Sequence, residues 1–217
     1  MSSTLNSTDL LGMLRHVVQR IEQEEAYLNS LDAAIGDGDH GITMRLGFQA
    51  IGKRLTVLTP TVPMSDILLD AGCAFMEATG GAIGVILGRM LIAGGKSLQG
   101  SDSMGPTQLR ALLSTMEAAA TKAGKAVPGD KTILDALHPA VDAASSTSVQ
   151  DDLVAMLSKA AEAADLGAKN TANMHCRIGR ASRLGDRVIG HPDPGATSFS
   201  IILKAMAEWA RKLEYVS

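Results

Sequence analysis

Apolar residues return at helical spacing along almost the whole chain. Leu10, Met13, Leu14, Val17, Val18 and Ile21 trace one face of a first helix, with Ser7, Thr8 and Asp9 as capping candidates and the glycine-rich stretch around Asp37 ending it. A second helix is predicted from about Ile42 to Leu55. TPTVP then breaks the pattern before Ser65 or Asp66 caps a third helix, whose stripe is Ile67, Leu68, Ala71, Ala74, Phe75 and Ala78. GAIGVILGRMLIAGG makes a fourth, in which Gly84 and Gly88 lie one turn apart and allow close approach of a neighbour, while Gly94 and Gly95 read as a C-cap.

Pro106 suits the first turn of a fifth helix, carried by Leu109, Leu112, Leu113 and Met116 to Gly124. After a turn at Pro128 and Gly129, a sixth runs from near Asp130 to about Ala144, and Ser148 opens a seventh through Leu153, Leu157, Ala160 and Ala164. RIGRASRLGDRVIGHPDPG has no helical stripe and reads as an ordered loop. Behind it comes a last helix with Phe199, Ile202, Ala205, Met206 and Trp209 on its apolar face. Eight helices and no pair of alternating segments predict an all-α fold, an antiparallel bundle or barrel, formed as one domain over residues 1–217.

Composition agrees with this. The chain is 46% hydrophobic but only 3% aromatic, so its apolar share is mostly small and aliphatic side chains suited to close helix packing. A net charge of -3 offers no broad basic surface, which argues against nucleic acid as a partner. The two cysteines, Cys73 and Cys176, form neither a metal-ligand spacing nor a disulfide framework, and the N-terminus becomes charged too early for a signal peptide. With no apolar run long enough to span a bilayer, a cytoplasmic protein without membrane attachment is expected.

Chemistry concentrates in a few stretches. LDAAIGDGDHG crowds Asp32, Asp37 and Asp39 together, and three carboxylates so close must hold a cation, protonate or spread into water. Hard oxygen ligands suit magnesium or calcium, the spacing fails as an EF-hand, and magnesium shared with phosphate oxygens is the better match. An acid-rich helix start is the plainer reading. TGGAIG places Gly80, Gly81 and Gly84 before and within a helix start, where backbone N–H groups can meet an anion, although glycines for packing explain it equally well. GGKS only imitates a P-loop, because residue 90 is Met where the first glycine belongs. VPGDKT taken alone is a turn and a helix cap. In the last loop Arg177, Arg180, Arg183 and Arg187 gather positive charge, either as a solvated basic loop or as guanidinium forks for phosphate. Metal ligands, backbone donors and counter-charge are together the parts that hold a magnesium nucleotide.

GDGDHG, GGAIG, PGDKT, GRASRLG and IGHPDPGATS, in this order and spacing, resemble the nucleotide-binding L subunits (DhaL) of dihydroxyacetone kinases from about Leu31 to Ser198. The resemblance implies an eight-helix antiparallel up-and-down barrel with ADP or ATP closing one end and two Mg²⁺ between phosphates and aspartates. It assigns Asp32, Asp37 and Asp39 as metal ligands, and His40, Gly41, Ile42 and Thr43 to the phosphates. Ala82 and Ile83 would touch the nucleotide, Gly124 and Ile133 would wall the base, and Asp193, Pro194 and Gly195 would complete the site with Arg180 as the catalytic cation. It further implies a K-type subunit that holds the ketose and, in some members, an M-type phosphocarrier; self-association stays open. Ile83 stands where the family usually has a small hydroxyl residue, Thr43 replaces a common Asn, Arg183 a common Tyr and Asp186 a common Glu, so the acceptor could be dihydroxyacetone, erythrulose or another short ketose. A nucleotide-loaded regulatory module without phosphotransfer, or a fatty-acid kinase-like nucleotide domain, are the alternatives.

Overall fold

The computed structural model describes residues 4–148 and 152–214; residues 1–3, 149–151 and 215–217 of the expected single domain lie outside the described residues. Among the described residues there are nine α-helices and no strand. These are α1 (Ser7–Gln23), α2 (Glu25–Ile35), α3 (His40–Leu55), α4 (Met64–Ala78), α5 (Gly81–Ser97), α6 (Pro106–Gly124), α7 (Leu134–Ser146), α8 (Leu153–Asn170) and α9 (Pro194–Glu214). Two short 3-10 segments, 171–173 and 180–188, lie between α8 and α9. The ninth helix arises because the first predicted helix is divided: Glu24 (φ -96°, ψ 4°) closes α1, and α2 then packs mainly along α3.

Each helix from α3 onward packs on its chain neighbour, and α9 returns onto α1, which closes the ring. The stripes that predicted the helices form one continuous core, running from Leu10, Met13 and Val17 of α1 through Phe75 of α4 and Leu157 of α8 to Phe199 of α9. At the α4–α5 contact, Gly72 and Gly88 face each other so closely that a Cβ at residue 72 would lie 2.7 Å from the Gly88 carbonyl oxygen. Phe75 is fully buried and meets Phe48 edge-on, with ring centroids 5.6 Å apart. Phe75→Ala is expected to cost about 3–5 kcal/mol through lost burial and an unfilled cavity. Chemical denaturation read by helical circular dichroism checks it.

Helix boundaries differ from the sequence expectation where capping is not local. Asn6, rather than Ser7 or Thr8, caps α1 in a reciprocal box with Asp9. Pro63 precedes α4 without a side-chain cap, so neither Ser65 nor Asp66 has that role. Gly94 and Gly95 lie inside α5, where residue 95 abuts the Ser65 carbonyl oxygen, and the helix continues to Ser97. α7 starts at Leu134, after a turn in which Asp130 accepts from Val127 N, and Asp152 rather than Ser148 caps α8.

Candidate functional site

In an up-and-down ring alternate connections share an end. The connections α2–α3, α4–α5, α6–α7 and α8–α9 therefore come together, and they carry GDGD, TG, KAVPGDKTI and the arginine-rich loop. Between them lies a cavity of about 540 Å³. Asp32, Asp37, Asp39, His40, Thr43, Ala82, Ile83, Gly124, Ile133, Arg180, Asp193, Pro194 and Gly195 all line it. Gly41 and Ile42 do not. Gly41 is buried where α3 meets α2, and the Ile42 amide donates to Asn29 Oδ1 at 3.1 Å while its side chain faces outward.

The aspartates converge as the local spacing requires. One carboxylate oxygen from each of Asp32, Asp37 and Asp39 lies within 4.8 Å of the others. Asp32 comes from the last turn of α2, whereas the other two lie in the turn that opens α3. That turn is possible because Gly38 adopts φ +79°, which L side chains rarely do. It is fastened by Asp32 Oδ2, which accepts from the amides of Gly38 at 2.9 Å, Asp39 at 3.0 Å and His40 at 3.3 Å. These amides are thus already engaged. The same holds at α9, where Asp193 Oδ2 accepts from Ala196 N at 2.7 Å. The start of α5, beginning at Gly81 after Gly80, has no side-chain cap and faces the cavity through Ala82 and Ile83, which leaves it as the open helix N-terminus of the site.

Charge and polarity divide the cavity. Arg180 Nη1 contacts Asp37 Oδ2, so the connection between α8 and α9 brings an arginine to the aspartates of the α2–α3 connection beside it. Ile83, Ile86, Ala120, Ala123, Ala126 and Ile133, from α5, α6 and the connection after it, give the cavity an apolar part, and a Cβ on Gly124 would lie 3.4 Å from Ile86 Cδ1. Asp193 is held protonated up to about 7, chiefly by burial, with the amides of Ala196 and Gly195 acting against this.

His40 packs between the aspartates and α9. Its Nε2 lies 3.1 Å from Ser198 Oγ, which itself donates to the Gly195 carbonyl at 3.0 Å. Burial lowers its pKa to about 4, with the nearby Asp32 charge opposing the shift. The imidazole is therefore neutral at pH 7, and the stability linked to it is complete above about 6.5 and lost as pH falls through about 4. Proton NMR of the metal-free protein should show the His40 ring titrating near 4, and a midpoint close to 6.5 would contradict this placement.

Sequence reasoning missed several lining residues, including Lys131, Thr132, Cys176 and Ile178. The PGDKT motif held the signal for the first two. Among the described residues no helix is long and apolar enough to cross a membrane, and both cysteines are free.

Residues 34–208 match the family model described as the DAK2 domain. The ADP-binding subunit DhaL of the PEP-dependent dihydroxyacetone kinase 2 from Listeria innocua is 34% identical over 202 residues, covering 91% of this chain and 94% of the relative. The corresponding DhaL subunit of Escherichia coli is 33% identical over 210 residues, covering 96% of this chain and 100% of the relative. Among solved structures, the dihydroxyacetone kinase of C. freundii in complex with AMP-PNP and Mg²⁺ superposes with a TM-score of 0.70 at 28% identity, over 96% of this chain. The chain spans 35% of the length of that kinase.

Proposed function

The chain belongs to the DAK2-domain family, and from that premise we propose that it is the nucleotide-binding subunit of a dihydroxyacetone or related short-ketose kinase. The observation that carries the proposal is one cavity lined both by three convergent carboxylates with an arginine and by an apolar group from α5, α6 and the connection after it. This asymmetry fits a magnesium nucleotide, polar at its phosphates and apolar at its base.

The donor set fits magnesium: three hard carboxylates, with Asp32 also fixed by three amides. Asp32, Asp37 and Asp39 would hold two ions, which when bound neutralise the polyphosphate and orient the phosphoryl group for in-line transfer. The residues of the chain do the rest by position. The uncapped N-terminus of α5 directs amides at the phosphates, Arg180 supplies counter-charge, and Thr43 offers a hydroxyl at the same end. Gly124 and Ile133 shape the apolar wall for the base. His40, neutral and hydrogen-bonded to Ser198, positions the aspartate turn against α9 rather than supplying charge.

The ketose would be presented by a K-type subunit. The C. freundii kinase leaves most of its length outside the part matched here, room for such a function in one chain. Both relatives are named as PEP-dependent, which favours a resident ADP recharged by an M-type phosphocarrier over exchange with free ATP. Mixing the purified protein with a K-type subunit and following dihydroxyacetone phosphorylation, with ATP in one arm and a PEP-fed carrier in the other, tests this. Turnover in the carrier arm is expected. No turnover with either donor would leave a nucleotide-loaded binding module as the better reading.

A further inference from the structure

Lys131 lies in the turn between α6 and α7, and two features of it are unusual. Its side chain is only 1% exposed, and its backbone adopts φ +62°, a left-handed conformation uncommon for a residue with a side chain. A buried ammonium and a strained backbone at one position both carry a cost, so the contacts of the side chain should account for them. Lys131 Nζ donates to the Met174 carbonyl at 3.2 Å and to the Val188 carbonyl at 2.6 Å. Both acceptors belong to the 171–193 connection, one on each side of Arg180. Neither lies on one of the nine α-helices.

The rest of that connection is held mainly at its base. Gly190 N donates to Ala172 O at 2.7 Å, Asp193 N donates to Thr171 Oγ1 at 2.8 Å, and Arg177 N donates to Asp130 O at 3.2 Å. Between residues 178 and 187 it is largely exposed, with Gly179 and Gly185 in positive-φ conformations. Ile178 at its start packs, partly buried, against the core. A flexible loop of this length gains order only from contacts that offset its conformational entropy, and the two carbonyl bonds from one buried cation join its outgoing and returning limbs directly. Arg180, 76% exposed, lies in sequence between those two limbs and contacts Asp37.

We infer that Lys131 is a positioning residue, clasping both limbs of the 171–193 loop and thereby setting Arg180 over Asp37 at the mouth of the cavity. The clasp stands on the hydrogen bonds alone; its consequence for nucleotide binding rests on the function proposed above.

Lys131→Met and Lys131→Gly variants separate the clasp from ordinary packing. Methionine keeps the apolar stem, while glycine also relieves the left-handed backbone, so strain cannot explain an effect common to both. Limited trypsin digestion with mass mapping reads the loop at Arg177, Arg180, Arg183 and Arg187, and titration calorimetry with Mg-ADP reads the site. Both variants are expected to keep the helical circular dichroism of the parent, to be cleaved in this loop about tenfold faster, and to bind Mg-ADP about tenfold more weakly. Folded variants with parental cleavage rates would overturn the inference. Loss of helical signal in both would also overturn it, by making Lys131 a folding residue. Should the parent itself fail to bind Mg-ADP, the functional proposal falls, and the cleavage rates still decide the clasp.

Discussion

Asp37→Asn is expected to weaken magnesium-dependent ADP binding by on the order of a hundredfold or more while leaving the fold intact, because metal affinity follows the number of charged ligands. The two effects separate because Asp37 has no part in the core. Its side chain is 48% exposed and contacts Arg180, whereas the amides that fasten the turn all bond to Asp32. The change in unfolding free energy should stay within about 0.5 kcal/mol, as for other surface substitutions. Calorimetric titration and a thermal melt of the nucleotide-free protein together check the pair. A large fall in melting temperature would show that the Asp37–Arg180 contact is a structural staple rather than part of a cation site.

The second large effect falls on a glycine. A Cβ at Gly41 would collide with the Glu25 carbonyl oxygen and lie 2.7 Å from Asn29 Oδ1, both on α2. A backbone carbonyl inside a helix cannot step aside alone, so Gly41→Ala should force α2 away from α3 and cost about 3 kcal/mol. That movement also parts Asp32 on α2 from Asp39 at the start of α3, so metal-dependent binding should weaken with stability. Gly52 of the same helix is the control. Its Cβ would meet Val18 at an ordinary 3.4 Å, so Gly52→Ala should be neutral or stabilise by up to about 1 kcal/mol through helix propensity. Denaturant titration of the two variants side by side checks the contrast, and equal effects would contradict the helix contact described.

The sequence shows most clearly what is periodic or adjacent. The stripes of α1, α4, α6 and α9 are legible because burial on one face of a helix repeats every 3–4 residues. Asp37 and Asp39 are legible as a pair because they are two residues apart. Asp32 joins them because α2 ends between them. What depends on distant partners was not legible. Lys131 looks like a turn lysine until the chain has come back at Met174 and Val188, and the division of the first helix is marked only by the apolar-free run EQEE, which carries no Gly or Pro breaker. Three amides next to the aspartates are spent on Asp32, a reach that adjacency in GDGDHG does not reveal, and the open amides lie at α5, where TGGAIG already placed them. Sequence pattern marks which groups are present near a site, whereas which of them remain free depends on side chains that reach across it.

The central claim is that the three aspartates hold magnesium together with a nucleotide. Isothermal titration of ADP into protein stripped of any co-purified nucleotide, once with magnesium and once with EDTA, tests it most directly. A saturable heat with magnesium that disappears in EDTA is the result predicted. Equal binding in both, or none in either, would contradict it.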